Sequence, residues 1–348
     1  MKVLIQTSKS VSLSEVARQI AYVGEKLGHV IILNRSYPSR DTIFSIAKAL
    51  VLIYPPSPAY CMHWFLIYRE AKKELNGRVV YYTTIEGKPK RLAFPQWVFR
   101  DVEFIANSHY TAKMLQSIGL KVKDIIHHGI LSEEVKLASY YARKYENIIK
   151  SKFKNRVVFG TVSDLLPRKG LDKLIEATKM LLKKRQDFVV LLITKKDIMP
   201  HIQTIPNMFM VCEFGSRDHT EIMGFYGAID YLIHPALAEG FGLPVLEAMA
   251  MGTPVIHAWY EPLSEFSHKD ANLTFPPSLI RYVDTQEGIL YEFHEYDPED
   301  LAEMMEKAID IKLKHKDEYE DRKAKVKEQA MKFKSEELYK RIYQHLGV

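Results

Sequence analysis

The chain has 348 residues, of which 47% are hydrophobic and 26% are charged, and its formal net charge is +6. This balance excludes a disordered or fibrous protein, and the length favours two domains of about 150 residues each. Only Cys61 and Cys212 are present, with no second ligand at zinc spacing, so neither a disulfide nor a metal site is expected and both should be small buried hydrophobes.

The positive charge suits anionic partners such as a nucleotide diphosphate or lipid headgroups, so a peripheral membrane contact is possible. No apolar run reaches the roughly 18 residues of a membrane span, and the N-terminus lacks the features of a signal peptide, which together predict a cytoplasmic protein. The Lys-rich stretches 183–185 and 312–327 are mixed with acidic residues and are typical of solvated helix faces. No interleaving of aromatic and basic residues indicates a nucleic-acid partner.

Short apolar runs alternate with helical patterns along the first half of the chain. They predict strands at 2–6, 30–33, 50–54, 78–82, 103–106 and 125–126, and helices at 14–27 and 108–118, with Ser108 as an N-cap. After a polar, Lys-rich stretch at 143–156 the alternation restarts. It predicts strands at 157–159, 188–194, 209–211, 231–233 and 254–256, and helices at 171–184, 221–226, 244–251 and within 298–346. Two doubly wound α/β units, joined near residues 150–156, are the simplest architecture.

The most informative segment is EGFGLPVLE at residues 239–247, which is typical of a glycine loop that enters a helix. Gly240 and Gly242 allow a close approach of the backbone to a ligand, and the free amides of a helix N-terminus favour an anion such as a diphosphate. Glu239 precedes the loop, and Glu247 is expected on the first turn of the helix. Carboxylates accept hydrogen bonds only, so both suit a ligand rich in hydroxyl groups.

This segment resembles the E-x7-E signature of the family-4 retaining glycosyltransferases, whose GT-B fold has two Rossmann-like domains facing each other across a cleft. The stretch 106–115 with Gly119 and residues 128–130 is similar to the end of that family's first domain, and Arg168-Lys-Gly to its phosphate loop. The resemblance implies an acceptor-binding domain at 1–152, a donor-binding domain at 153–330 and a C-terminal helix at 331–348 that packs on the first domain.

The resemblance also implies roles for individual residues. Glu247 would hold the ribose of a nucleotide-diphosphate sugar, Glu239 would contact the transferred sugar, and Arg168 and Lys169 would neutralise the departing diphosphate. The remaining donor contacts are expected from Gly240, Phe241, Gly242 and Leu243, from Ser163, and from Phe214 or Arg217 on the base; Ser163 or Asp164 stands where the family carries an arginine. Acceptor contacts are expected from Ser8, Lys9 and Ser10, in place of the family's glycine loop, and from Thr84 and Glu86, in place of its histidine.

The activity so implied is transfer of the sugar to an acceptor hydroxyl by front-face attack with retention of configuration. No cofactor or metal ion is required, because lysine, arginine and helix amides supply positive charge. The acceptor is left open among a glycan, a lipid, a protein and a small molecule. A sugar-nucleotide epimerase of the same fold and a non-catalytic nucleotide-sugar-binding protein are the alternatives, the latter because the arginine and the histidine are missing.

Overall fold

The computed structural model describes the backbone of all 348 residues and every side chain except those of Tyr60 and Gln96. The chain divides into two compact units. The first comprises Met1–Leu131, Tyr282–Glu292 and Phe333–Val348, and the second comprises Ser132–Arg281 and Phe293–Lys332. Among the helices described, none combines the length and the apolar character that a bilayer crossing requires.

Helices and strands alternate along most of the chain. Up to residue 131 they are β1 (Lys2–Thr7), α1 (Val11–Lys26), β2 (Val30–Asn34), α2 (Arg40–Ile46), β3 (Ala49–Ile53), α3 (Pro58–Glu74), β4 (Val79–Thr83), β5 (Gly87–Pro89), α4 (Gln96–Phe99), β6 (Glu103–Ala106), α5 (His109–Gln116) and β7 (Lys121–Ile125). Then come α6 (Ser132–Lys152), β8 (Val157–Val162), α7 (Leu171–Leu182), β9 (Phe188–Thr194), α8 (Met199–Ile202), β10 (Met208–Glu213), α9 (His219–Ala228), β11 (Tyr231–His234), α10 (Leu243–Ala250), β12 (Val255–Ala258), β13 (Leu273–Phe275), β14 (Leu279–Asp284), β15 (Ile289–Glu295), α11 (Pro298–Lys314), α12 (Lys316–Ala330), α13 (Ser335–Leu338) and α14 (Lys340–His345).

The first unit is built on a parallel sheet in the order β2-β1-β3-β4-β6-β7. Every residue of β3 and β4 is buried, which is the pattern of strands covered by helices on both faces. Helix α5 begins where the sequence predicts, because the Ser108 hydroxyl accepts a hydrogen bond from the Thr111 amide at 3.0 Å.

A buried polar cluster closes the carboxyl end of this sheet. The Tyr82 hydroxyl lies 2.9 Å from Nδ1 of His128, and the Asn107 amide nitrogen lies 3.2 Å from its Nε2. Burial lowers the pKa of His128 to about 3, with a further contribution from His127. His128 is therefore a neutral hydrogen-bonding group of the core at physiological pH.

The last sixteen residues belong to the first unit, where they form the two short helices α13 and α14 in place of the single helix that was predicted. The Ser335 hydroxyl donates to the Gln19 side chain at 2.6 Å, and the Tyr343 hydroxyl donates to the Ile20 carbonyl oxygen at 2.7 Å. Tyr339 is fully buried. The C-terminal segment is thus part of the core beside α1.

A β-arm that the sequence does not predict also contributes to the first unit. Strand β15 pairs antiparallel with β5, with Ile289 opposite Pro89 and Tyr291 opposite Gly87. A Cβ atom at Gly87 would lie 2.0 Å from the Leu290 carbonyl oxygen, so only glycine permits this approach.

The second unit is built on another parallel sheet, in the order β10-β9-β8-β11-β12-β13. The order reverses between β8 and β11, since β9 and β10 extend to one side of β8 and the later strands lie on the other. Ligands of doubly wound sheets bind at the carboxyl ends of the strands at such a reversal.

Helix α6 replaces the polar joint that was predicted at residues 143–156, and it belongs to the second unit, so that unit begins earlier than the predicted boundary at residue 152. Helix α6 belongs to the second unit because it packs on α9. Gly224 and Gly227 leave room for it, because a Cβ atom at these glycines would lie 2.4 Å from the Tyr141 Cβ and 2.9 Å from the Ala142 Cβ. The many lysines of α6 hide this small-residue contact in the sequence.

Candidate functional site

The loops that follow β8 and β11, residues 163–170 and 235–242, lie at the strand reversal and carry most of the predicted donor residues. The Leu237 amide donates to the Arg168 carbonyl oxygen at 2.8 Å, which joins the two loops. Gly170 has φ +62°, and a Cβ atom there would lie 2.1 Å from the Pro235 carbonyl oxygen. Only glycine therefore lets the two loops meet in this way.

The loop after β11 is also held from its other side. The Tyr296 hydroxyl donates to the Pro235 carbonyl oxygen at 2.7 Å, and the Tyr260 hydroxyl donates to that of Ala236 at 2.9 Å. The His294 amide donates to the Leu237 carbonyl oxygen at 2.8 Å, and its ring stacks on Tyr260 with a centroid distance of 4.1 Å. These bonds fix the backbone immediately ahead of Glu239.

Lys169 and Glu239 form an ion pair between the two loops. The Lys169 side chain is 18% exposed, and the Glu239 side chain is 7% exposed. The His234 Nε2 lies 3.2 Å from the same carboxylate oxygen of Glu239. Burial opposes ionisation of Glu239, but Lys169, His234 and Arg168 outweigh it and hold the pKa of this carboxyl well below its usual range. Glu239 is therefore a fixed carboxylate, and Lys169 is its cationic neighbour.

Arg168 adds a second cation to this place. Its charge acts on Glu239 and also helps to lower the pKa of Asp164, where burial is opposed chiefly by Lys195 at 2.7 Å. The loop thus brings two cations, Arg168 and Lys169, to one carboxylate, with Lys195 balanced by Asp164. The excess of positive charge suits an anionic ligand.

Helix α10 begins directly after this pair. Gly242, its N-cap residue, has φ +99°, and a Cβ atom there would lie 2.2 Å from Cδ2 of Leu263, so the left-handed turn and the packing both require glycine. Pro244 has no amide hydrogen, and the Val245 and Leu246 amides donate to the Gly242 carbonyl oxygen at 3.0 and 3.4 Å, so the start of α10 offers an anion its helix dipole and the Leu243 amide.

The two apolar residues of this loop contribute packing. Phe241 is 3% exposed, and its ring stacks on Phe266 with a centroid distance of 4.7 Å. The Phe241 side chain therefore packs under the loop, and its role as a donor contact stays a prediction. Leu243 is buried as well. A ligand would meet the backbone of these residues.

Glu247 lies on the second turn of α10 and not on the first, because the helix starts at Leu243. Its carboxylate is 4% exposed and lies 2.8 Å from Nε2 of His219, whose Nδ1 lies 3.1 Å from the Glu134 carboxylate. Burial, reinforced by Glu247, keeps the pKa of Tyr226 well above its usual value, so the Tyr226 hydroxyl remains a donor to Glu247.

His219 and Glu134 were not predicted as site residues. They come from the start of α9 and from α6, far from Glu247 in the sequence, so no local spacing indicates their contact. The three side chains form a row in which the half-buried imidazole of His219 joins two buried carboxylates. This row fixes the orientation of the Glu247 carboxylate.

The other predicted donor residues lie at the carboxyl ends of β8 and β10. Ser163 is buried, and its hydroxyl donates to the Asp164 carbonyl oxygen at 3.0 Å. Phe214 is half-buried, and its amide donates to the Thr194 carbonyl oxygen at 3.0 Å. Arg217 is exposed and lies 3.8 Å from Glu221. Cys212, expected to be buried, is only half-buried.

The predicted acceptor residues belong to the first unit, after β1 and β4. The Ser10 amide donates to the Ser8 hydroxyl at 3.2 Å, and Lys9 is exposed. The Thr84 hydroxyl accepts from the Asn107 side chain at 2.9 Å, and Glu86 is half-buried. These residues stand at strand ends of their own sheet, as expected of a Rossmann-like unit.

Comparison with known proteins defines the family. The sequence model for glycosyl transferases group 1 matches residues 144–329. Uncharacterized glycosyltransferase 335 of Sulfolobus islandicus rod-shaped virus 1 is 32% identical over 98% of this chain and 99% of its own length. Uncharacterized glycosyltransferase MJ1178 of Methanocaldococcus jannaschii is 31% identical over 27% of this chain and 26% of its own length.

Solved structures agree at the level of the fold. HepE of Anabaena, solved in complex with UDP and glucose, superposes with a TM-score of 0.68 at 15% identity, over 100% of this chain and 99% of its own. Sucrose-phosphate synthase of Thermosynechococcus elongatus gives a TM-score of 0.71 at 14% identity, over 99% of this chain and 98% of its own. The fold is GT-B, and this enzyme belongs to the glycosyltransferase group 1 family.

Proposed function

We propose that the chain is a retaining glycosyltransferase that uses a nucleotide-diphosphate sugar as its donor. The observation that carries this proposal is the grouping of Arg168, Lys169 and Glu239 in two interlocked loops beside the uncapped start of α10. Two cations and the positive end of a helix dipole are complementary to a diphosphate, and the fixed carboxylate of Glu239 is complementary to sugar hydroxyl groups.

The charge arrangement supports departure of a nucleoside diphosphate. When the bond between the anomeric carbon and the diphosphate oxygen breaks, negative charge grows on that oxygen. Lys169 is held beside Glu239 before the ligand arrives, so it does not have to be recruited during the reaction. Fixed cations stabilise such a transition state more than the ground state. In this proposal Arg168 and Lys169 do so without a metal ion or cofactor.

The acceptor oxygen then forms a bond to the anomeric carbon on the face that the diphosphate leaves. Its proton passes to the departing phosphate oxygen, so no side chain of the enzyme is needed as a nucleophile. The product keeps the anomeric configuration of the donor. Glu247, oriented by His219, would accept hydrogen bonds from the ribose hydroxyls of the nucleotide.

Donor binding is tested by titration calorimetry with UDP, GDP and ADP, each alone and as its common sugar conjugates. The wild type should bind one nucleotide saturably, and Glu247→Ala should lose that binding. The matched control is Glu320→Ala, since Glu320 is 64% exposed on α12, and it should bind as the wild type does. Failure of every nucleotide to bind would refute the proposal.

The reaction itself is tested by proton NMR of the sugar product immediately after donor turnover, with a panel of hydroxyl acceptors and water. Transfer or hydrolysis with retention supports the proposal. An inverted product would refute the retaining mechanism. An isomerised donor would indicate an epimerase, and binding without turnover would indicate a non-catalytic protein.

A further inference from the structure

Helix α6 presents one face to the second unit and another to solvent. Its inner face carries Ala138, Ala142 and Ile149, which are buried. The close approach of α9 at Gly224 and Gly227 fixes this orientation. The outward side chains are consequently displayed in one rigid array, which we call the α6 outer face: Lys136, Leu137, Tyr140, Arg143, Lys144, Ile148 and Lys152.

Basic residues outnumber acidic ones from the second turn of α6 to the residues directly after it, although the first turn carries Glu133 and Glu134. Residues 136–156 contain seven lysines and arginines and a single acidic residue, Glu146, whereas the net charge of the whole chain is +6. Glu146 forms an ion pair with Lys150. Helix α12 offers the contrast, since its lysines and arginine are matched by neighbouring acidic residues, as in the Lys325–Asp321 pair at 2.6 Å. The basic residues of the stretch 136–156 are therefore less balanced by acidic neighbours than those of α12.

Large apolar side chains stand among these cations. Leu137 is 56% exposed, Tyr140 is 70% exposed and Ile148 is 54% exposed. The apolar surface continues onto β10, the edge strand of the sheet, where Phe209 and Val211 are 38% and 50% exposed. Isolated exposed apolar residues are common, but a continuous patch of them in a charged rim marks an interaction surface.

A cavity of about 300 Å³ joins the helix to the strand. Ile148 and Lys152 of α6 line it together with Phe209, Val211 and Cys212. The Lys152 ammonium lies 5.8 Å from the centre of the Phe209 ring, so a cation stands at the edge of the apolar opening. This arrangement matches a ligand that has an anionic head and an apolar body.

We infer that the α6 outer face and the adjoining β10 edge bind the surface of an anionic membrane. Lysine and arginine would meet the headgroup phosphates, and Leu137, Tyr140 and Ile148 would enter the boundary between headgroups and acyl chains. The phosphates of a nucleic acid could bind the lysines and arginines, but the exposed aliphatic side chains would gain no apolar contact from such a partner. The α6 outer face lies outside the two loops of the candidate donor site, although Arg217, a predicted contact of the donor base, also lines the adjoining cavity.

The test is co-sedimentation of the full chain with vesicles of phosphatidylcholine, with and without phosphatidylglycerol, over a range of salt concentrations. The wild type should bind the anionic vesicles only, and binding should weaken as salt rises. Removal of three cations in Arg143→Gln/Lys144→Gln/Lys152→Gln should weaken binding about 100-fold, since each cation near an anionic surface contributes roughly a fivefold effect.

The matched control removes the same number of charges from α12 in Lys316→Gln/Lys325→Gln/Lys327→Gln. It should bind vesicles as the wild type does, and circular dichroism should show both triple variants folded. Absence of vesicle binding by the wild type would overturn the inference. Equal losses in the two variants, or binding of duplex DNA but not of vesicles, would overturn it as well.

Discussion

Breaking the Lys169–Glu239 pair from the lysine side is expected to destabilise the second unit. Lys169→Met leaves a carboxylate that is 7% exposed without its principal cation. Removing one partner of a buried pair costs about 3–5 kcal/mol. Because His234 at 3.2 Å and Arg168 still act on Glu239, the lower end, about 3 kcal/mol, is expected.

The two positions should also be energetically coupled. Glu239→Gln keeps the shape of the side chain and removes the charge, so Lys169→Met in that background should cost about 1 kcal/mol, which gives a coupling energy near 2 kcal/mol. The free energies of unfolding are measured by urea denaturation followed by circular dichroism at pH 7. The control is Lys179→Met, which removes a pair with Glu176 whose side chains are 48% and 56% exposed and should change stability by less than about 0.5 kcal/mol.

The same pair predicts a dependence on pH. The folded pKa of Glu239 lies below its unfolded value of about 4.3, so its carboxylate stabilises the fold above that value. This stabilisation should be lost as the pH falls from there toward the folded pKa, and the loss should be smaller in Glu239→Gln. A Lys169→Met variant within 1 kcal/mol of the wild type, or additive effects in the cycle, would refute the proposed role of the pair.

Three further predictions concern other contacts. Gly170→Ala should lower the free energy of unfolding in urea by at least about 3 kcal/mol, because the added Cβ would lie 2.1 Å from the Pro235 carbonyl oxygen of the facing loop. The control is Gly215→Ala, which should cost about 1 kcal/mol, because Gly215 also has a positive φ, +80°, but no atom lies within 4 Å of the added Cβ. Burial lowers the pKa of His128 to about 3, below its unfolded value of about 6.5, so the neutral imidazole stabilises the fold fully above pH 6.5. The free energy of unfolding should be about 3 kcal/mol lower at pH 4, because the unfolded chain then binds a proton at His128 and the folded chain does not. His128→Gln should flatten this part of a plot of the urea midpoint against pH, and an unchanged plot would contradict the assignment. His219→Ala should weaken nucleotide binding in calorimetry at least tenfold by releasing Glu247, while His219→Gln should restore part of it; equal binding by His219→Ala and the wild type would exclude the positioning role.

Much of the fold could be predicted because parallel strands are covered on both faces and therefore consist of continuous runs of apolar residues in the sequence. Strands such as β3, β4 and β9 are buried along their full length, and the runs at 50–54, 78–82 and 188–194 indicated them directly. Helix α6 was hidden by its outward lysines, since the small residues that pack on α9 carry no conspicuous signal. The arm of β14 and β15 was also missed, because its pairing with β5 is remote in sequence.

The candidate site was predictable to the extent that it is local. The glycine loop and the helix that follows it could be found, since Gly242 and Pro244 are signals of adjacent residues. The contact of Glu247 with His219, and of His219 with Glu134, could not be predicted, because the three residues lie on separate helices. The stacking of Phe241 on Phe266 could not be predicted either, because Phe266 lies outside this segment of the chain.

The path of the chain has a consequence for how the protein is made. The first unit contains the earliest residues and also residues 333–348, which include the buried Tyr339 and Tyr343 beside α1. During synthesis the second unit, which ends at Lys332, has all of its residues before the first unit does. Residues 1–131 therefore remain with part of their core exposed until residues 333–348 have been synthesised, so the first unit can complete its fold only after the second.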